Sequence, residues 1–390
     1  MIDLKVNGRD ISNDVISFAQ ELVRIKSYSG QEEEAAKAIA KKMDALGYDC
    51  VRIDRLGNVI GKIGSGEKQI LFESHTDTVH VHDAVLWEVP PFSGEVIDGY
   101  LWGRGSVDMK SAIAASVYAG AIAKSQGSLS GKTITVSCSV FEEDCDGEGL
   151  KFVLKESGMK PDYAVICEPS NNTIVGGHKG KAQMIIKTKG VSAHGSAPEK
   201  GVNAIYEMAE IIQRVEQTNL DLMKKEGRKG TLVLARISST GVSLNAVPSE
   251  CEIYLDRRMV VGETEEDLRA ELERITAGKK ATWEIDSVQR TTWTGEAITY
   301  KPLHSAWEIE RDHPLSEACI RAYKKVFGRE HGEFDYWDFS TNAVALIPLG
   351  IPTIGFGPGE QKLAHMQDEK CAVEQIKEAC AFYVGVIGEI

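Results

Sequence analysis

Residues 132–144 read KTITVSCSVFEED. From Thr133 to Phe141 the residues are β-branched or apolar apart from two serines, and three acids follow. A run of this kind suits a strand buried on both faces, as parallel strands are. GEGLKFVLKES follows as a helix, and DYAVICEPS (162–170) is a second buried strand. Upstream, strands are predicted near 50–54, 58–63 and 69–74, with helices over 14–25, 31–46 and from Met109 to Lys124. In the helix at 31–46, acidic residues fill the first turn and Gly47 ends it. Strands alternating with helices predict an α/β fold with a mostly parallel sheet.

The pattern changes after GGHKGK (176–181). KAQMIIKTK is a strand, GVNAIYEMAEIIQRVEQ an amphipathic helix, and TLVLARISS and CEIYLDRRM are strands. ETEEDLRAELERIT is a helix and ATWEIDSV a strand. That order is βαββαβ, the ferredoxin-like plan. The chain then returns to α/β character with a helix from Pro314 to Phe327, the strand IPTIGF and a last helix from Val373. The second unit is therefore predicted as an insertion: residues 1–177 and 292–390 form one domain, and 178–291 the other.

Composition narrows the function. The 390 residues carry 58 acidic and 45 basic side chains, a net charge of −13, which argues against a nucleic-acid partner. The start shows no signal peptide and no apolar run approaches the ~20 residues of a membrane span. The eight cysteines include no CxxC pair and several lie in apolar segments, as expected of buried thiols in the cytoplasm. The glycine-rich stretches at 62–69 and 355–362 lack the GK[ST] of a phosphate loop.

The chemistry collects at strand ends. LFESHTDTV (71–79) ends an apolar run in His75 and Asp77, a ligand-type imidazole with a carboxylate two residues on. GRGSVDMKS (103–111) sets Asp108 at the start of the alanine-rich helix, where it could equally be an N-cap. Glu142 and Glu143 follow the strand ending at Val140, and Glu168 follows another. GFGPGEQKLAHMQDE carries His365 after IPTIGF. In a parallel sheet such ends converge on one rim. Two imidazoles with several carboxylates suit a divalent metal pair, zinc above all.

These motifs together resemble the M20 family of di-zinc amidohydrolases and peptidases, which includes succinyl-diaminopimelate desuccinylase, acetylornithine deacetylase, aminoacylase-1, carboxypeptidase G2 and dipeptidases. ESHTDTV is similar to the family's first metal motif, GRGSVDMKS to its bridging-aspartate motif, FEEDCDGEG to its base-and-ligand pair, and ICEPS and GPGEQKLAHMQDE to its later ligand motifs. KGVSAHGSAPEKGVNAI and LNAVPSECEIYLDRRMVVGET are similar to parts of its lid and dimerisation domain. RTTWTGEAITY and GIPTIGFGPG resemble the subgroup named for selenium-metabolism hydrolases.

The resemblance implies two zinc ions per chain, with cobalt or manganese as substitutes. His75 and Glu168 would bind one, Glu143 and His365 the other, and Asp108 both. Asp77 would fix the tautomer of His75, and Glu142 would be the general base for a metal-bridging hydroxide. His194 would donate to the oxyanion in the active site of a homodimer partner. Asn245, Arg258, Ser340, Thr341 and Gly357 would contact the substrate. The implied activity is hydrolysis of the amide bond of small N-acyl amino acids or dipeptides. Hydrolysis of N-carbamoyl amino acids is the alternative, and an inactive binding protein a further one that the intact Glu142 disfavours. Asp335 and Asp338 in HGEFDYWDFSTNA put acids near the expected pocket and suggest a substrate with a free amino group. His80, His82, His304, His313 and His331 are expected on surface loops.

Overall fold

The computed structural model describes residues 2–241 and 243–390. Its centre is a nine-stranded sheet. The strands used below are β1 (Cys50–Ile53), β2 (Val59–Gly64), β3 (Lys68–His75), β4 (Tyr100–Trp102), β5 (Lys132–Ser139), β6 (Tyr163–Ile166) and β7 (Val175–His178). They continue with β8 (Gly180–Lys189), β9 (Thr231–Thr240), β10 (Glu250–Met259), β11 (Ala281–Ile285), β12 (Trp307–Glu308), β13 (Asp335–Trp337), β14 (Thr353–Gly355) and β15 (Lys370–Ala372). The central order is β12-β7-β14-β6-β3-β5-β2-β1, with β13 also pairing with β7.

The expectation of a mostly parallel sheet needs refinement. The four middle strands, β14-β6-β3-β5, are parallel. Both flanks turn antiparallel, through β5–β2–β1 on one side and β14–β7–β12 on the other. Only the parallel centre carries the apolar runs that sequence reads well. It is also the part that sends four strand ends to the same rim.

Helices cover both faces. α1 (Ser12–Arg24), α2 (Glu33–Ala45), α3 (Lys110–Ser125), α7 (Pro314–Phe327) and α8 (Val373–Glu389) belong mainly to one layer, and α4 (Glu148–Ser157) to the other. α3 is buried along its whole length up to Ala123. Its small residues allow the close approach of α1 and α8, and a helix apolar all round belongs inside. Asp108 does not cap it: the position before Lys110 is Met109 and no side chain bonds the helix start.

The inserted unit has the predicted order β8-α5-β9-β10-α6-β11, with α5 at Ala204–Lys224 and α6 at Glu265–Thr276. Its strands lie in the order β9-β10-β8-β11, all antiparallel, with the short strand Leu303–His304 added beside the start of β8. Alternate residues of β8 and β10 are buried, so one face packs on α5 and α6 around Met184, Ile253 and Leu272. A capping box at Thr264 and Asp267 starts α6, a feature worth about 1 kcal/mol. No helix among the described residues is long and apolar enough to cross a membrane. None of the eight cysteines is paired.

Two expected surface histidines are buried instead. His304 reaches the Tyr300 hydroxyl, and His331 accepts the Ile174 backbone N–H at 2.9 Å. Each satisfies a polar group that a loop-only reading of the sequence has no means to see.

Candidate active site

β3 delivers His75 as its last residue, at the rim where β5, β6 and β14 also end. The His75 Nε2 lies 2.9 Å from Asp108 Oδ1 and 3.6 Å from Glu168 Oε1. The second oxygen of Asp108, Oδ2, lies 3.2 Å from His365 Nε2, which is also 3.0 Å from Glu143 Oε2. One carboxylate thus faces an imidazole with each of its oxygens. The ligand atoms of His75, Asp108 and Glu143 fall within 4.8 Å of one another, as do those of His75, Glu142 and Glu168. All five expected ligands and the expected base are therefore together.

The electrostatics fit a cation. Burial, then the Glu168 carboxylate, push Glu142 well above the ordinary carboxylate range. Burial and Asp108 push Glu143 up to about 7. Burial and Asp108 likewise raise Glu168. Carboxylates crowded this closely are relieved by a divalent ion, and an N/O donor set of this kind suits zinc or a related metal.

Asp77 acts differently from expectation. The His75 Nδ1 donates to the Asp77 backbone oxygen at 2.9 Å, while the carboxylate is 3.5 Å away. That bond leaves Nε2 to face Asp108. The carboxylate instead accepts the backbone N–H groups of Glu142 and Glu143, at 3.0 and 3.1 Å, and the Ser29 hydroxyl at 2.7 Å.

A cavity of about 310 Å³ opens beside these groups. Its metal-facing wall is Asp108, Glu142, Glu143, Glu168 and His365, and its far wall includes Lys181, Arg258 and Ser340. Arg258 lines it while donating to Asp256 Oδ1 at 2.7 Å, so the expected pairing and the expected pocket position coexist. Asp146, overlooked in the sequence, is the organiser of this wall. It is buried and accepts from Lys181 Nζ at 2.9 Å and from the hydroxyls of Tyr300 and Ser340. Burial opposes its charge, yet Lys181 and its other neighbours hold it below the usual carboxylate range. The surplus of acids in DCDGEG was the available signal.

Other expected contacts are not brought to the cavity. Thr341 is fully buried, and its backbone N–H and hydroxyl meet His178 Nδ1. Gly357 spends its N–H on the Ser170 hydroxyl and its carbonyl on the N–H groups of Ser170 and Asn172. His194 and Asn245 lie on two neighbouring exposed loops of the inserted unit, where Gly195 N–H donates to Asn245 O at 2.6 Å. Neither lines the cavity. Asp335 and Asp338 do not line the cavity either: Asp338 is exposed and paired with Lys179 at 2.7 Å, and Asp335 accepts from Thr173. The cations that do line the far wall, Lys181 and Arg258, are each paired with an aspartate, Asp146 and Asp256.

The description Peptidase family M20/M25/M40 matches residues 71–389. The uncharacterized protein YgeY of Escherichia coli K12 is 35% identical over 383 residues, covering 97% of this chain and 95% of the relative. A succinyl-diaminopimelate desuccinylase of Bradyrhizobium diazoefficiens is 27% identical over 400 residues, covering 96% and 98%. Aminopeptidase PepT from Bacillus cereus has the same fold, with TM-score 0.74 at 22% identity over 98% and 99% of the chains. So does the Bacillus subtilis YXEP protein, described as a dinuclear metal-binding peptidase from the M20 family, with TM-score 0.70 at 16% identity over 97% and 98%. The chain therefore belongs to peptidase family M20/M25/M40 and is a metal-dependent hydrolase of that family.

Proposed function

We propose that this enzyme hydrolyses the amide bond of small N-acyl amino acids or dipeptides at a two-metal centre, with zinc as its metal. The observation that carries the reading is the split of Asp108, one oxygen toward His75 and the other toward His365. His75 and Glu168 would hold one ion, Glu143 and His365 the other, with Asp108 shared. When bound, the ions supply Lewis acidity and lower the pKa of water.

The chain's own groups do the rest. Glu142 takes a proton from the attacking water and returns it to the leaving nitrogen. Arg258, with Lys181 beside it on the far wall, holds a substrate carboxylate, for which the planar guanidinium is well shaped. Ser340 gives its hydroxyl proton to Asp146, so toward the cavity it presents an acceptor.

We read residues 1–177 with 292–390 as the catalytic domain and 178–291 as a lid through which two copies pair. In support, β9 has no partner on its outer edge among the described residues, and its Val233 and Ile237 are half exposed, as is Leu220 of α5. The His194 Nδ1 accepts the Ser196 backbone N–H, so its proton sits on Nε2. From an exposed loop, His194 of the partner subunit would donate to the developing oxyanion, with Asn245 beside it. The unpaired thiols support a reducing, cytoplasmic setting.

The test is metal content with activity. The chelator-stripped protein is assayed before and after zinc on N-acetyl, N-succinyl and N-carbamoyl amino acids and dipeptides, beside Glu142→Ala. The expected result is about two zinc ions per chain and amine release that needs both metal and Glu142. The variant should keep its metal and lose about 10²–10⁴-fold in kcat. A wild-type protein that binds no metal would refute the reading.

A further inference from the structure

We propose that the buried Arg104–Glu369 ion pair is the positioning element of the metal centre, fixing Asp108 and His365 together. This takes those two residues as ligands, as argued above. The two partners are 265 residues apart in the chain. Strand pairing brings them together. β4 and β15 run antiparallel from Tyr100↔Ala372 to Trp102↔Lys370, and the ladder continues one step as Gly103 N–H donates to Glu369 O at 2.9 Å.

From there each side chain reaches a different ligand. Glu369 Oε1 accepts the backbone N–H groups of Val107 and Asp108 at 2.8 and 3.1 Å. Its Oε2 accepts from Arg104 Nη1 at 2.5 Å. The other arm of the same guanidinium, Nη2, donates to the His365 carbonyl at 3.3 Å. His365 has φ of +63°, a left-handed conformation that a residue with a Cβ adopts only when its surroundings impose it. Arg104 is the group that meets its carbonyl.

Neither residue touches the cavity, and both are almost wholly buried, at 4% and 0% exposure. A buried ion pair is a poor way to gain stability, because apolar side chains of similar volume do as well or better. The forked geometry has a use that apolar residues cannot serve. It joins the Asp108 amide, from before α3, to the His365 carbonyl, from after β14, through two side chains. A lysine in place of Arg104 would keep the charge but not the fork.

The experiment uses the full-length protein in four forms: wild type, Arg104→Lys, Glu369→Gln and the double variant R104M/E369M. Each is stripped, and its thermal unfolding is recorded without metal. Cobalt(II) is then titrated in and followed by its visible bands, and zinc affinity is measured by competition with a chromogenic chelator. The pair acting as a positioning element predicts about 10–100-fold weaker metal binding. That loss appears even in whichever variant unfolds nearest to wild type. Variants that unfold earlier but bind both ions with wild-type affinity would show the pair to be a staple between β4 and β15 only, and would overturn the proposal. If the wild type itself takes up no metal while folding normally, the ligand assignment fails first and this inference with it. Wild-type binding with intact variants separates the second failure from the first.

Discussion

Asp77 holds the amides of Glu142 and Glu143 with its two carboxylate oxygens while its backbone carbonyl sets the tautomer of His75. In Asp77→Asn one of those oxygens becomes an NH₂ facing another donor. The expected outcome is a drop of about 10–100-fold in kcat with KM little changed, since Asp77 holds the wall of Glu142 and Glu143 and not the far wall of Lys181, Arg258 and Ser340. A change confined to KM would show that Asp77 acts on substrate binding instead. At this scale much was legible. His75, Asp108, Glu142, Glu143, Glu168 and His365 all come together. His75, Glu142, Glu143 and Glu168 stand at or just past strand ends that the sequence marks clearly, while Asp108 lies just before α3 and His365 on the segment after β14. What was not legible is where a side chain turns. Asp108 had two local options, its own helix start or the rim, and only the packed structure shows that it leaves the helix uncapped.

Gly357 illustrates the element scale. It lies in the turn after β14, against the end of β6, and a Cβ there would collide with the carbonyl oxygens of Cys167 and Glu168. Those are backbone atoms and do not rotate away. Gly357→Ala is expected to cost about 1–3 kcal/mol in denaturant unfolding and to weaken metal retention by displacing Glu168. A loss below about 0.5 kcal/mol, the usual range for surface changes, would mean the turn simply shifts. The element boundaries themselves were well read, since apolar runs, helix periodicity and stop residues are local signals. The antiparallel flanks of the sheet were not, because which strand pairs with which depends on crossovers that a single strand's composition does not encode.

For the whole molecule, trans delivery of His194 predicts complementation. Inactive His194→Ala and Glu142→Ala proteins, mixed under conditions of subunit exchange, should recover roughly a quarter of wild-type activity, since half the dimers are mixed and each has one complete site. No recovery despite exchange would place His194 in its own chain's site or outside catalysis. A pH prediction concerns the polar cluster behind the cavity. Burial, helped by the Lys151 and Lys181 cations and opposed by Asp146, lowers His304 to about 4, and burial lowers His178 to about 3. Between the ordinary value of 6.5 and about 4 the unfolded chain binds a proton that folded His304 does not. Its contribution is complete above 6.5 and is lost as pH falls. Glu32 and Glu73, both raised to about 8 by burial, shift stability the other way. The measurement is therefore differential: wild type should lose stability relative to His304→Gln as pH drops from 6.5 to 4. A constant difference would refute it. The sequence by itself determined the alternation of strands and helices, the βαββαβ order and the short motifs that carry the candidate ligands, because each is written in contiguous residues. Only the tertiary structure decided that Asp146 organises the far wall, that Arg104 meets Glu369 across 265 residues, and that Thr341 and Gly357 face inward. Those outcomes depend on which distant segments pack together, and a buried polar group takes whatever partner the fold brings within reach.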